Sequence, residues 1–514
     1  MTLRVESLNK QVVASQMKLG AILSYASIAV NLIVGLTYTP FMLRMMGPSE
    51  YGLYSLAASI IAYLTVLDLG FGNAIIRYTA KYRAEGKVDE QQRLFGMFIM
   101  LYTLIALVTF FIGSGIVVGA EGIFGENMSD TEVYRTKIIL TLLTFNVAVT
   151  FPLSIWGSIM SAYERFVFPK AVSIVRSILN ALVMVVLLLY GYRAIAMVVV
   201  TTIFNISALL LNWIYCKKEL SIKVKFSKFD WSLLKEVAIY SFWIFLNVLM
   251  DKVYWSTGQI VLGANSGTTA ISVFAIAVQL MSYFMLLNVA ISNMLLPRFT
   301  AMVVKGIESE ISDFFVKVSR LQYFLIALVL SGFILFGKRF VILWAGAGYE
   351  QSYYISLALM IPMSIDILFS SCVKVLQAKN QMIYRSVVCV ISALVCLLLQ
   401  IPMSKYFGAI GCAFAIVIVF TIQLALLSFY YQRVQHLNII AMFKNLAQLS
   451  IMPIVLCLLY FGIRQLYAND SVYVYVSSIA IYSVLYGVLS YRFVMSNYEK
   501  GLVAPILKKI RMIK

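Results

Sequence analysis

Several charged side chains stand inside long apolar stretches of this sequence, where a charge is costly and therefore marks a functional candidate. They are Asp68, Arg176, Asp251, Lys252 and Asp366. A cation in such a place can hold an anionic group through charge-assisted hydrogen bonds, and a carboxylate can take up a proton or a cation. These residue types predict a site that binds a charged ligand and responds to an ion.

Polar residues accompany two of these charges at helical spacing. One face would carry Tyr240, Asn247, Asp251 and Tyr254, with Trp243 at its border, and a neighbouring stripe would carry Lys252, Ser256 and Gln259. Adjacent helix residues do not face each other, so Asp251 and Lys252 are not expected to neutralise one another. Each needs water, another helix or a ligand, and the pattern predicts a helix that borders a wet cavity.

The remaining charges allow a simpler interpretation beside a ligand site. Arg77 and Arg298 lie at predicted helix ends, where they also serve as topology signals. Arg176 lies near another predicted end, from which its head group can reach the membrane interface. Asp68 and Arg77 are about half a helical turn out of phase, so no direct pair is expected between them. A polar run follows Pro362 on one helical face: Asp366, Ser370, Lys374 and Gln377.

Catalytic constellations are not evident in the sequence. His436 is the single histidine, and the six cysteines have no metal-ligand spacing. The run from Gly332 to Lys338 fits a phosphate-binding loop, but Arg339 replaces the Ser or Thr that would hold Mg²⁺. We therefore expect no enzyme activity, no metal site and no cofactor.

The elements that position these residues are predicted to be membrane-spanning helices. Of the 514 residues, 62% are hydrophobic and only 12% are charged, which excludes both a soluble globule and a disordered chain. We expect an all-α polytopic membrane protein with about 14 transmembrane helices of roughly 22 residues. The predicted spans are 19–43, 51–76, 94–118, 138–160, 171–190, 194–215, 236–262, 270–296, 321–343, 354–376, 386–402, 409–431, 446–466 and 471–494.

The net charge of +19 follows the predicted topology. About three quarters of the Lys and Arg residues fall on the side that holds both termini, and an acidic connection at 119–135 falls on the other side. The positive-inside rule predicts that both termini are cytoplasmic. An anionic membrane leaflet accounts for the basic segments, so we expect no nucleic-acid partner.

Short matches separated by about 215 residues predict an internal repeat of six spans. Asn31, Tyr38 and Gly47 match Asn247, Tyr254 and Gly263, and Arg77-Tyr78-Thr79-Ala80 matches Arg298-Phe299-Thr300-Ala301. An even number of spans keeps both copies in the same orientation, so we expect two parallel six-helix lobes around a central cavity. The predicted domains are the lobe 1–216, a basic linker 217–235, the lobe 236–432, and two further helices with a basic tail, 433–514.

Two local motifs resemble a known transporter family. The first is the run from Thr39 to Tyr54, which contains Arg44-Met45-Met46-Gly47-Pro48, and the second is Leu67-Asp68-Leu69-Gly70-Phe71-Gly72, which leads to Arg77-Tyr78. Both are similar to Wzx-type polysaccharide exporters of the multidrug/oligosaccharidyl-lipid/polysaccharide (MOP) superfamily. The fourteen-span layout resembles that family across nearly the whole chain.

The resemblance implies a flippase of the bacterial inner membrane. Its substrate would be an undecaprenyl-pyrophosphate-linked oligosaccharide, moved from the cytoplasmic to the periplasmic leaflet with H⁺ or Na⁺ as coupling ion. The product would be O-antigen, capsule or exopolysaccharide. Implied partners are membrane lipids and the polysaccharide polymerase and chain-length machinery.

Roles can then be assigned to the candidate residues. Cations would hold the pyrophosphate: Lys252, Arg77 and Arg298, with Arg176 and Lys374 as further basic groups. Rings and amides would contact the sugars: Asn31, Tyr38, Tyr240, Trp243, Asn247 and Tyr254. Carboxylates would bind the coupling ion: Asp251, Asp366 and Asp68.

Two alternative functions remain at this stage. A drug or cation antiporter of the same superfamily would need no groove for a long lipid, and the additional helices 446–494 argue mildly against it. A membrane glycan polymerase or glycosyltransferase usually carries a large outer loop, whereas the longest predicted outer loop here is 119–137.

Overall fold

The protein is almost entirely helical, as its apolar composition predicts. A computed structural model describes residues 2–226, 231–292, 295–306, 308–379, 381–466 and 471–501. In this part of the chain 91% of residues are helical, strands are absent, and 14 helices are long. Among the described residues, eleven helical segments are long and apolar enough to cross a membrane. The predicted fold class, an all-α polytopic membrane protein, is confirmed.

The helices follow one another with short connections. They are α1 (Thr2–Leu64), α2 (Phe71–Ala84), α3 (Val88–Phe124), α4 (Asp130–Ala162), α5 (Val167–Leu189), α6 (Ala194–Lys218), α7 (Trp231–Trp255), α8 (Thr257–Asn265), α9 (Thr268–Ser292), α10 (Leu295–Val304), α11 (Glu308–Ala345), α12 (Glu350–Lys379), α13 (Ile383–Arg433), α14 (Ile439–Leu466) and α15 (Val472–Leu489). The segments α1 and α13 each consist of two helices, because Gly47 (φ 80°) and Gly408 (φ 56°) leave the helical conformation. Only glycine adopts such positive φ values at little cost.

The predicted second span, 51–76, is not continuous. Helix α1 ends at Leu64, a 3₁₀ turn covers Thr65–Asp68, and α2 begins only at Phe71. Between them, Leu69 (φ 52°) and Gly70 (φ 75°) are both left-handed. Hydropathy does not detect this break because apolar residues continue through it. Discontinuous helices at membrane depth are typical of transporter binding sites.

The predicted seventh span, 236–262, is also interrupted. Helix α7 ends at Trp255 and α8 begins at Thr257, so the intervening Ser256 ends the predicted polar stripe. In α8, Gln259 accepts a hydrogen bond of 2.6 Å from the Ser59 hydroxyl of α1, and Thr257 bonds to the Tyr63 hydroxyl. Gln259 therefore anchors α8 to α1, and its polarity is explained by packing.

Contacts divide the chain into two units. Unit 1 comprises Met1–Ala275 and Leu397–Cys412, and unit 2 comprises Ile276–Cys396 and Ala413–Lys514. The two lobes inferred from the repeat remain a prediction. In unit 2, α15 packs on α11 through a ring cluster in which the Tyr475 hydroxyl donates to the Phe336 carbonyl (3.0 Å) and Tyr486 to that of Phe324 (2.9 Å). These bonds satisfy phenol groups that would be costly to bury alone.

Candidate functional site

Three helices of unit 1 direct polar side chains into one cavity. Each contributes a pair at i,i+4 spacing: Asn146 and Thr150 from α4, Arg176 and Asn180 from α5, and Thr201 and Asn205 from α6. Residues four apart lie on the same helical face, so each pair points the same way. The cavity has a volume of about 370 Å³, and among the described residues that line it Arg176 carries the one formal charge.

A hydrogen-bond network orients the amide groups around the arginine. The Arg176 guanidinium donates to the Asn205 side-chain oxygen at 2.8 Å. The Asn205 amide in turn donates to Asn146 Oδ1 and Thr150 Oγ1, each at 2.8 Å. A guanidinium has five N–H donors, and in the described part of the chain one of those of Arg176 is used. The others are available to an acceptor in the cavity, such as a phosphate oxygen.

Arg176 does not lie at a helix end. The sequence predicts a span from 171, whereas α5 begins at Val167, so Arg176 is more than two turns inside the helix. Its head group is half-buried and bonds across to α6. The snorkelling interpretation stays a prediction, and the structure adds that an amide of the same unit accepts a hydrogen bond from this guanidinium.

The helix break lies beside this cavity and holds the carboxylate Asp68. Tyr102 of α3 donates to Asp68 Oδ1 at 2.7 Å, and the Gly70 backbone N–H also bonds to the carboxylate. Thr65, in the same 3₁₀ turn, lines the arginine cavity. Among the ion pairs of the described residues, none joins Asp68 to Arg176 or to Arg77. The half-turn offset predicted between Asp68 and Arg77 holds only on a continuous helix, and the break interrupts the helix between them.

The other predicted residues of unit 1 occupy different environments. On α7, Asn247 and Lys252 are half-buried, Asp251 is exposed and Tyr254 is buried, so the predicted polar face is not uniform. The side chains of Tyr240 and Trp243 lie outside the described part. On α1, Asn31 is exposed and Tyr38 is half-buried, with its hydroxyl lacking a hydrogen-bond partner among the described residues. Arg77 is exposed on α2, 5.8 Å from the Tyr78 ring centroid.

Unit 2 holds the remaining predicted residues. Asp366 and Lys374 are both half-buried on α12, where Lys374 donates to Gln377 at 3.3 Å. Arg298 is exposed on α10, and its guanidinium carbon lies 4.1 Å from the Phe314 ring centroid. Among the residues described here, no group of His, Cys, Asp and Glu has the geometry of a metal site.

Sequence reasoning missed the neutral members of the arginine cavity. The sequence predicted neutral polar groups on α1 and α7, such as Asn31 and Asn247, but Asn146, Asn180 and Asn205 were not among them. The available signal was the recurrence of polar pairs at i,i+4 on three consecutive apolar helices. Such pairs are informative in a membrane, where side-chain hydrogen bonds join helices.

Comparison with known proteins identifies the family. Residues 18–303, more than half of the chain, match the family described as polysaccharide biosynthesis protein. The chain belongs to that family. The matched region contains the helix break and all three polar pairs, so the candidate site lies within the part that defines the family.

Relatives and solved structures agree with this assignment. A Shigella flexneri protein named "Putative O-antigen transporter" is 20% identical over 332 residues, which cover 63% of this chain and 75% of that protein. The fold is similar to that of the lipid II flippase MurJ in an inward closed conformation (TM-score 0.72, 16% identity, 92% of this chain and 99% of the other). It is also similar to an inward-facing multidrug resistance MATE transporter of the MOP superfamily (TM-score 0.67, 11% identity, 80% and 96%). The resemblance to Wzx-type MOP exporters is confirmed.

Proposed function

We propose that this polysaccharide biosynthesis protein is an inner-membrane flippase for an undecaprenyl-pyrophosphate-linked oligosaccharide repeat unit. It moves the unit from the cytoplasmic to the periplasmic leaflet by ion-coupled alternating access. The observation that carries the proposal is the arginine cavity, which places a guanidinium with unused donors among spanning helices of a family named for polysaccharide synthesis. The O-antigen relative supports the same substrate class.

Arg176 suits the anionic head of such a substrate. Its planar guanidinium can bind phosphate oxygens in a bidentate manner. The amides of Asn146, Asn180 and Asn205 add neutral hydrogen-bonding groups without a competing negative charge. Lys252, half-buried on α7, is the second basic group that we assign to the head. Sugar hydroxyls would be bound by Asn31, Tyr38, Asn247 and Tyr254, together with Tyr240 and Trp243.

Asp68 suits the coupling ion. Its carboxylate lies at a helix break, where backbone groups are released from helical hydrogen bonding and can contribute to an ion site. Tyr102 fixes its orientation from α3. An ion shifts a conformational equilibrium only if it binds one state better than the other, and a break of this kind can differ between states. Asp251 and Asp366 remain further candidates for this role.

Reconstituted transport tests the proposal. Full-length protein is placed in proteoliposomes whose lipid-pyrophosphate oligosaccharide is labelled on one leaflet, and an impermeant glycosidase reports its appearance on the other. We expect protein-dependent exposure that falls at least about tenfold in Arg176→Gln and in Lys252→Ala, because each substitution removes a charge-assisted contact to phosphate. Arg433→Gln, at the exposed end of α13, is the matched control and retains transport.

Other outcomes would change either the residues of the site or the function of the protein. Transport that is unchanged in Arg176→Gln and Lys252→Ala would remove both residues from the site. If no exposure occurs with any imposed H⁺ or Na⁺ gradient while cationic dyes are moved, the protein is an antiporter. Chemical change of the glycan without movement would indicate a polymerase or glycosyltransferase.

A further inference from the structure

A second cavity lies in unit 2, where α15 ends and the tail begins. Its volume is about 610 Å³. The lining residues come from α11, from the last turn of α15 and from the following segment: Phe324, Gly487, Val488, Tyr491, Arg492, Met495 and Lys500. Most of the wall is apolar or aromatic, and the two charged lining residues are both basic. The flippase function assigned above does not use this cavity.

The two cations have no acidic partner in the part of the chain that the structure describes. Arg492 is exposed, and its guanidinium carbon lies 5.8 Å from the centroid of the Phe493 ring. Lys500 Nζ is 5.8 Å from the Tyr491 ring centroid. Aromatic faces stabilise cations without neutralising them. The cavity therefore presents a net positive edge.

The carboxylate next in sequence to Lys500 is already occupied. Glu499 is buried, and Arg320 of α11 donates to its Oε1 at 2.8 Å. Arg320 also donates to Asn445 of α14 at 2.9 Å, and Glu499 accepts from the Ser496 backbone at 2.7 Å. This network pins the segment that carries Lys500 to two spanning helices. It fixes the basic edge in place and keeps Glu499 from screening it.

The backbone conformation before the cavity also affects the direction of the Arg492 side chain. Residues Ser490–Val494 form a π-helical turn after α15, and the chain becomes extended at Met495. Widening the last turn changes the direction in which side chains leave the helix, and π turns frequently occur at functional sites. Arg492 lies in this turn and is thereby placed at the cavity edge with Lys500.

We propose that this cavity binds one anionic phospholipid, with its phosphate at Arg492 and Lys500 and an acyl chain along Phe324 and Val488. A lipid fits because a basic edge adjoins an apolar wall at the end of a spanning helix, where head groups and acyl chains meet. A soluble anion would have no use for the apolar wall. A zwitterionic lipid would match the two uncompensated cations less well.

Native mass spectrometry of the full-length protein, titrated with phosphatidylglycerol in detergent, tests this site. We expect one tight adduct whose apparent affinity falls about tenfold in the double variant Arg492→Ala/Lys500→Ala, because each basic group near a membrane surface contributes attraction to anionic lipid. The control is Arg433→Ala/Lys444→Ala, which removes the same charge from exposed positions of unit 2 and leaves the affinity unchanged. Phosphatidylcholine is titrated in parallel.

A variant that keeps every charge makes the test independent of folding. Gly487 lines the cavity, and a Cβ built there meets no atom within 4 Å, so the leucine side chain of Gly487→Leu has room to occupy part of the cavity. We expect it to lower phosphatidylglycerol binding as well, with an unchanged melting temperature.

Three results would overturn the proposal: equal binding of phosphatidylcholine, an equal loss in the control double variant, or displacement of the lipid by millimolar inorganic phosphate. The first would indicate acyl-chain binding alone, the second general surface charge, and the third a site for a soluble anion. If the double variant does not fold, unchanged binding in Gly487→Leu would overturn it alone.

Discussion

Arg176 is a charged residue on a spanning helix that has no ion-pair partner among the described residues. Its guanidinium bonds to Asn205, whose amide is itself bonded to Asn146 and Thr150. The network orients the amide oxygen toward the cation and leaves further donors for a ligand. A carboxylate in the same place would compete with an anionic substrate, so the neutral shell favours binding of a phosphate group.

Asp68 is the residue whose charge we expect to couple transport to an ion. Asp68→Asn keeps the size of the side chain and an oxygen that can accept from Tyr102, but it cannot ionise. We expect transport in proteoliposomes to lose its dependence on an imposed H⁺ or Na⁺ gradient, with the gradient-driven rate falling at least about tenfold. Tyr102→Phe removes the hydrogen bond and keeps the charge, so it should retain gradient dependence. Full gradient response in Asp68→Asn would assign coupling to another carboxylate.

Among the elements, the long helices could be predicted from the sequence and their interruptions could not. Runs of apolar residues specify helices in a membrane because backbone groups have no other partners there. The break at Leu69 and Gly70 depends instead on two left-handed residues within an apolar run. The charged members of the site could also be predicted, because a charge stands out within an apolar run. Asn146, Asn180 and Asn205 were missed because neutral amides contrast less with apolar sequence than charges do.

Replacing Gly70 with alanine should change stability in the opposite direction to the same substitution at a glycine inside a helix. At φ 75° a side chain is strained, so Gly70→Ala should lower stability by about 1 kcal/mol. Gly115 is exposed inside α3 with free space around its Cβ position, so Gly115→Ala should raise stability by up to about 1 kcal/mol. Melting temperatures of the purified variants measure both changes. Equal stabilisation by the two substitutions would show that the chain is helical through Gly70.

At the scale of the whole molecule, stability should depend on pH through Glu499. Burial alone raises the pKa of this carboxyl, but hydrogen bonds from Arg320 and from Ser496 outweigh it and lower the pKa below its ordinary value of 4.5. A carboxyl with a depressed folded-state pKa stabilises the fold above its unfolded pKa. That contribution is lost as the pH falls from about 4.5 through the lower folded-state value.

Glu499→Gln isolates this contribution. The variant should melt at a lower temperature than the native protein at pH 7, and the difference should shrink as the pH falls below 4.5. Glu126→Gln, an exposed substitution in the connection between α3 and α4, is the control and should show no such pattern. A temperature difference that stays constant across this pH range would mean that the Glu499 carboxylate is not stabilised by its charge.

We expect the distribution of charge between successive connections to set the orientation of the chain in the membrane. The connection between α2 and α3 lies in the basic stretch from Arg77 to Arg93, whereas the connection between α3 and α4 is flanked by Glu121, Glu126, Asp130 and Glu132. The positive-inside rule predicts that the first connection is cytoplasmic and that the second lies outside. If the number of spans is even, as the sequence predicts, both termini are expected in the cytoplasm as well.

Single cysteines read this orientation directly. The native cysteines are buried or half-buried. They are replaced first, so that the single cysteine introduced at an exposed position is the one that reacts. In intact cells stripped of their outer membrane, an impermeant thiol reagent should label Glu126→Cys and leave Lys87→Cys unlabelled, and inside-out vesicles should give the reverse. Labelling of Lys87→Cys from outside would invert the topology. The basic tail would then face the periplasm, and the substrate would have to enter from the opposite end of the protein.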